Sequence, residues 1–83
     1  MSSEGTEAKL VRMANQIGTF FGHQGAGAAA DEAAVAAISQ HILDFWDPRM
    51  RRQILAHLEA GGAGLDPLVL AAVRRLAEQA SAA

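Results

Sequence analysis

His41-Ile-Leu-Asp-Phe-Trp-Asp-Pro-Arg-Met-Arg-Arg-Gln-Ile-Leu-Ala-His-Leu58 contains the end of one helix, a forced break and the start of the next. Proline at 48 disfavours helical geometry at Asp47, so the helix that arrives there ends near Trp46. The same dipeptide restarts the chain. Asp47 is an acidic N-cap, and Pro48 suits the first helical position, where no amide hydrogen is needed. Met50, Ile54, Leu55 and Leu58 then recur at helical spacing and predict a third helix to about Ala60, stopped by Gly61, Gly62 and Gly64.

Downstream, Asp66-Pro67 repeats the device, with Leu65 and Leu70 in the two positions of a hydrophobic staple. Leu70, Val73, Leu76 and Ala77 form the stripe of a fourth helix, and residues 81–83 are expected to fray. Leu68–Leu70 could pass for a strand, but no other segment offers it a pairing partner. Upstream, Val35, Ile38, Ile42 and Phe45 stripe a second helix that Asp31 and Glu32 are expected to begin. Gly22–Ala30 (GHQGAGAAA) reads as a flexible loop. Before it, Leu10, Met13, Ala14, Ile17, Phe20 and Phe21 predict a first helix, capped by Thr6 with Glu7 in its first turn and stopped at Gly22. Residues 1–6 are expected to be a disordered tail. The expectation is an all-α domain of about four short helices over residues 7–80, joined by Gly-rich and Asp-Pro turns.

The composition limits what such a domain can do. Its 83 residues bound it to one domain, and it has no cysteine, which excludes disulfides, thiolate zinc and cysteinyl iron–sulfur ligation. Nothing resembles a signal peptide or a membrane helix, so a soluble cytoplasmic protein is expected. Of 42 hydrophobic residues 19 are alanine, leaving 23 large apolar side chains. By size scaling, apolar burial contributes on the order of 120 kcal/mol, against an ordering cost of on the order of 125 kcal/mol. A balance so close to zero makes support from a partner physically useful.

Chemistry-bearing constellations are sparse. No two of His23, His41 and His57 share a helix face, and the reading is ordinary surface or partly buried histidines. Asp31, Glu7, Asp47 and Asp66 are accounted for as helix-start residues, and no carboxylate pair suits acid–base work. The serines lack a nucleophile elbow, and the Gly22–Gly27 glycines match neither a phosphate loop nor a dinucleotide fingerprint. No catalytic, cofactor-binding or metal-binding residue is assigned. The informative cluster is Phe45, Trp46, Asp47, Pro48, Arg49, Met50, Arg51 and Arg52, because Trp and Arg are enriched at interface hot spots. Arg49 and Arg52 share a helix face, with Arg51 turned away. Core filling by Phe45 and Trp46, with solvated arginines, is the competing reading. Phe21 joins the candidates because it and Phe20 point about 100° apart on a helix, so that one can face a partner; core packing of both is the expectation for a wide stripe.

Three blocks carry a family resemblance. Lys9-Leu-Val-Arg-Met-Ala-Asn-Gln-Ile-Gly18 with Phe20-Phe21, the His41–Leu58 block, and Gly64-Leu-Asp-Pro-Leu-Val-Leu70 resemble the delta subunit of the soluble, molybdenum-containing, NAD-dependent formate dehydrogenases of bacteria. The resemblance covers most of residues 9–76, and Phe45–Arg51 is its most specific part. It implies a small accessory subunit that binds no cofactor and assists assembly or stability of the complex. The alpha subunit of that family holds bis-molybdopterin guanine dinucleotide with molybdenum and most of the iron–sulfur clusters. The beta and gamma subunits carry FMN, further clusters and the NAD site. The implied partners are therefore the alpha subunit, with beta and gamma in the same complex, and neither nucleic acid nor membrane. Two other classes stay open on residues alone: a free-standing helical adaptor, and a nucleic-acid binder, since helices two and three superficially suggest helix-turn-helix. A net charge of −2 argues against the latter.

Overall fold

The structure, a computed structural model, describes residues 2–22 and 27–81. Four helices follow in order: α1, Ser2–Gly22; α2, Ala28–Phe45; α3, Pro48–Glu59; and α4, Pro67–Ser81. Among the described residues there is no strand, and Leu68–Leu70 is helical. α2 packs against α1 and α4, α3 packs against the same two helices, and α1 also meets α4.

Two helix starts differ from expectation. α1 begins at Ser2, so Thr6 lies inside it and residues 2–6 are helical rather than a disordered tail. Once the apolar stripe has nucleated the helix, each added residue gains a hydrogen bond for little further order, which carries it past Gly5. α2 begins at Ala28, with Gly27 as N-cap and Asp31 in the first turn. The three alanines are strong helix formers and join the helix rather than the loop. Residues 23–26, including His23, lie outside the described residues, as do Ala82 and Ala83.

The Asp-Pro junctions behave as the sequence predicts. The Asp47 carboxylate accepts the Met50 amide at 3.0 Å, with Pro48 in the first turn of α3. Pro67 is the first residue of α4, whose Leu70 amide donates to the Asp66 carbonyl at 2.7 Å. α3 ends in a Schellman turn: the Gly62 amide donates to the His57 carbonyl at 2.9 Å and the Gly61 amide to Leu58 at 3.0 Å. Gly61 and Gly62 have φ of 122° and 67°, a region open to glycine. The Leu58, Leu65 and Leu70 side chains close over Gly62, the staple meeting the turn it follows.

The core is built from Leu10 and Ala14 of α1, Ile38 and Ile42 of α2, Ile54 of α3, and Val69, Ala72, Val73 and Leu76 of α4, with Trp46 between α2 and α3. α1 packs tightly on its neighbours at Gly18. A methyl group there would collide with the Val69 side chain and lie 3.9 Å from Ile38, so three helices converge on a position without a side chain.

Candidate functional site

The Phe45–Arg52 cluster divides into buried and exposed members. Trp46 is only 5% exposed and belongs to the core, whereas Phe45 beside it is 73% exposed. The aromatic pair thus splits between the two readings: one ring fills the interior and the other faces solvent. Asp47 is used as the cap of α3. Arg51 turns back onto α2, where its Nη1 donates to the Trp46 carbonyl at 2.6 Å and to the Leu43 carbonyl at 3.3 Å. α2 has no basic residue in its own last turn, so Arg51 supplies from α3 the cation that its terminal carbonyls favour. Pro48, Arg49 and Arg52 are exposed and Met50 is half-buried. A nucleic-acid reading loses one of its three arginines to this cap.

The first helix contributes the other half of the site. Phe20 is 68% exposed and Phe21 half-buried, so the two do not both pack in the core. Their rings meet edge to face with centroids 5.0 Å apart. Phe21 lies 6.0 Å from the His41 ring, and His41 stacks at a tilt on Phe45 at 4.6 Å. A row of four rings therefore crosses from α1 to α2. It borders an open cleft of about 570 Å³. Half-buried Met13, Ile17 and Met50 line the cleft together with the edge of Trp46, and Gln16 stands at its exposed margin. Phe21, Phe45, Trp46 and Met50 are legible as candidates, with Phe20 weighed beside Phe21 and Gln16 among the residues that match the family pattern; His41, Met13 and Ile17 join them because α1 lies alongside the α2–α3 junction.

The remaining polar contacts are structural. The Asn15 side chain brackets the α3–α4 turn: its Nδ2 donates to the Gly64 carbonyl at 2.9 Å and its Oδ1 accepts the Asp66 amide at 3.0 Å. His57 Nε2 lies 2.8 Å from the Ala63 carbonyl, placing the proton on that nitrogen, while Nδ1 is 3.9 Å from Glu7. Among the described residues no group of three His, Cys, Asp or Glu side chains converges, and no helix is long and apolar enough to cross a membrane. With no cysteine in the sequence, the chain has no thiolate to offer an iron–sulfur cluster.

Residues 9–73 of the 83 match the model of a family described as NADH-dependant formate dehydrogenase delta subunit FdsD. The chain belongs to this family. The matched span contains every residue that lines the cleft, from Met13 to Met50. By family the chain is a formate dehydrogenase subunit, and its all-α fold agrees with the expectation drawn from its helical stripes. No curated protein and no solved structure matches the chain.

Proposed function

We propose that the chain is a non-catalytic accessory subunit of a cytoplasmic, NAD-dependent formate dehydrogenase, docking through its aromatic cleft onto the molybdenum-containing alpha subunit. The beta and gamma subunits complete that complex. Bis-molybdopterin guanine dinucleotide, iron–sulfur clusters, FMN and NAD are held by the other chains, and formate oxidation proceeds there. The observation that carries this reading is the exposure of Phe20 and Phe45 beside an apolar cleft. A phenylalanine left in water forgoes about 1.5–3 kcal/mol of transfer free energy, which a covering surface recovers. Contiguous exposed apolar surface of this kind marks interaction sites in soluble proteins.

The contribution to activity is linkage. A small chain that binds the folded, loaded alpha subunit and not its unfolded state shifts that equilibrium toward the loaded form. The test is production of the other subunits with and without this chain, followed by molybdenum content and formate-dependent NAD reduction in the purified complex. Both fall in its absence on this reading. Equal metal content and equal turnover would remove the assembly role, and a chain that purifies only alone would restore the adaptor.

A further inference from the structure

The chemistry around the cleft is lopsided, and that asymmetry defines what fits it. Met13 and Met50 line both the cleft and an adjoining hollow of about 290 Å³. Lys9 and Gln53 stand in that hollow. Arg49 is exposed, precedes Met50 and lies one turn before Gln53 on α3, which places it on the same stretch of that helix. Among the described residues neither Lys9 nor Arg49 forms an ion pair or a side-chain hydrogen bond. No carboxylate lines either hollow. Of the acids nearest in sequence, Glu7 lies 3.9 Å from His57 Nδ1, Asp47 accepts the Met50 amide, and Asp44 accepts from Gln40 at 2.9 Å.

Resting on the subunit reading above, we propose that this continuous groove receives an amphipathic helix of a partner subunit, with an apolar side chain seated among the aromatic rings and carboxylates facing Lys9 and Arg49. A helix satisfies its own backbone, whereas an extended segment would bring unpaired amides and carbonyls into an apolar cleft. The described residues offer no strand edge to pair them. A second copy of this chain is the poorer occupant. A two-fold contact through the groove would set Lys9 and Arg49 against their own counterparts, and like charges at an interface select against it.

The experiment uses the assembled complex, purified through a tag on another subunit. Phe20→Ser/Phe45→Ser tests the apolar half of the groove and Lys9→Glu/Arg49→Glu the charged half. Each pair is expected to lower retention of this chain at least tenfold, and helical circular dichroism of each free variant should be unchanged. All four positions are exposed, and the charge pair alone decides the matter if the phenylalanine pair misfolds. Lys9 is the sole lysine, so carbodiimide coupling from its amine reads out its neighbour directly. A cross-link to Asp or Glu in a partner peptide with helical apolar spacing supports the groove. Wild-type levels of both variants, or Lys9 coupled only within this chain or to a second copy, overturn the groove and leave the subunit reading standing. Absence of the wild-type chain from the complex overturns both.

Discussion

Asn15 shows how one side chain ties distant sequence together. It reaches across 49 and 51 residues to Gly64 and Asp66, holding the α3–α4 turn against α1. Asn15→Ala removes both bonds and leaves the Asp66 amide to find water. The expected loss is about 1–3 kcal/mol, read as a lower denaturant midpoint with unchanged slope. Gly18 makes the converse argument. Alanine there gains up to about 1 kcal/mol of helix propensity, yet its methyl group must displace Val69 at the meeting of α1, α2 and α4. Overpacking of this kind costs about 1–3 kcal/mol, so Gly18→Ala is expected to destabilise the domain in thermal melts, and Gly18→Val more so. No spacing rule marks Asn15 or Gly18, because each acts through a partner some fifty residues away. The helical stripe of α2 put Phe45 on the apolar face with Ile38 and Ile42, yet Trp46 is the buried ring and Phe45 is exposed, because the angle at which α3 leaves the turn decides which ring turns inward.

The α2–α3 junction is the element whose design was most fully readable. Asp47-Pro48 announces a stop and a restart, and the Asp47 carboxylate and Pro48 occupy the positions those residue types favour. Helix starts rich in alanine and serine were less readable, because Ser2–Thr6 and Ala28–Ala30 contain no breaker strong enough to fix a boundary. The sequence places Arg51 in the interface cluster, turned away from Arg49 and Arg52; that it closes α2 depends on the chain folding back after the two-residue turn. The junction therefore has two separable supports. Asp47→Ala loses the cap of α3 at a cost of about 1 kcal/mol. Arg51→Met keeps most of the stem packing and removes a charged donor from two carbonyls, at a cost of about 1.5–3 kcal/mol. Asp47 and Arg51 stabilise the same turn, so the effects of the two substitutions are expected to be non-additive in a double-mutant cycle measured by urea unfolding. Strict additivity would mean that the cap and the arginine act on independent structures.

At the scale of the whole molecule, the largest fully buried side chains among the described residues are Ile38, Ile42, Ile54, Val69 and Val73. Two of the three phenylalanines remain mostly in water at the same time. A chain whose apolar burial and ordering cost nearly cancel thus holds back part of its apolar surface, and a partner that covers it adds stability by mass action. At a partner concentration about a hundredfold above Kd the gain is about 2.7 kcal/mol. The core of α2 and α4 reports this gain without touching the cleft. Amides around Ile38, Val69 and Val73 exchange through opening of the folded domain, so their protection tracks its stability. Their exchange is expected to slow by about a hundredfold when the isolated chain is compared with the same chain in the purified complex. Equal exchange in the two states would show that the folded domain draws no stability from its company, and the exposed phenylalanines would then need another explanation.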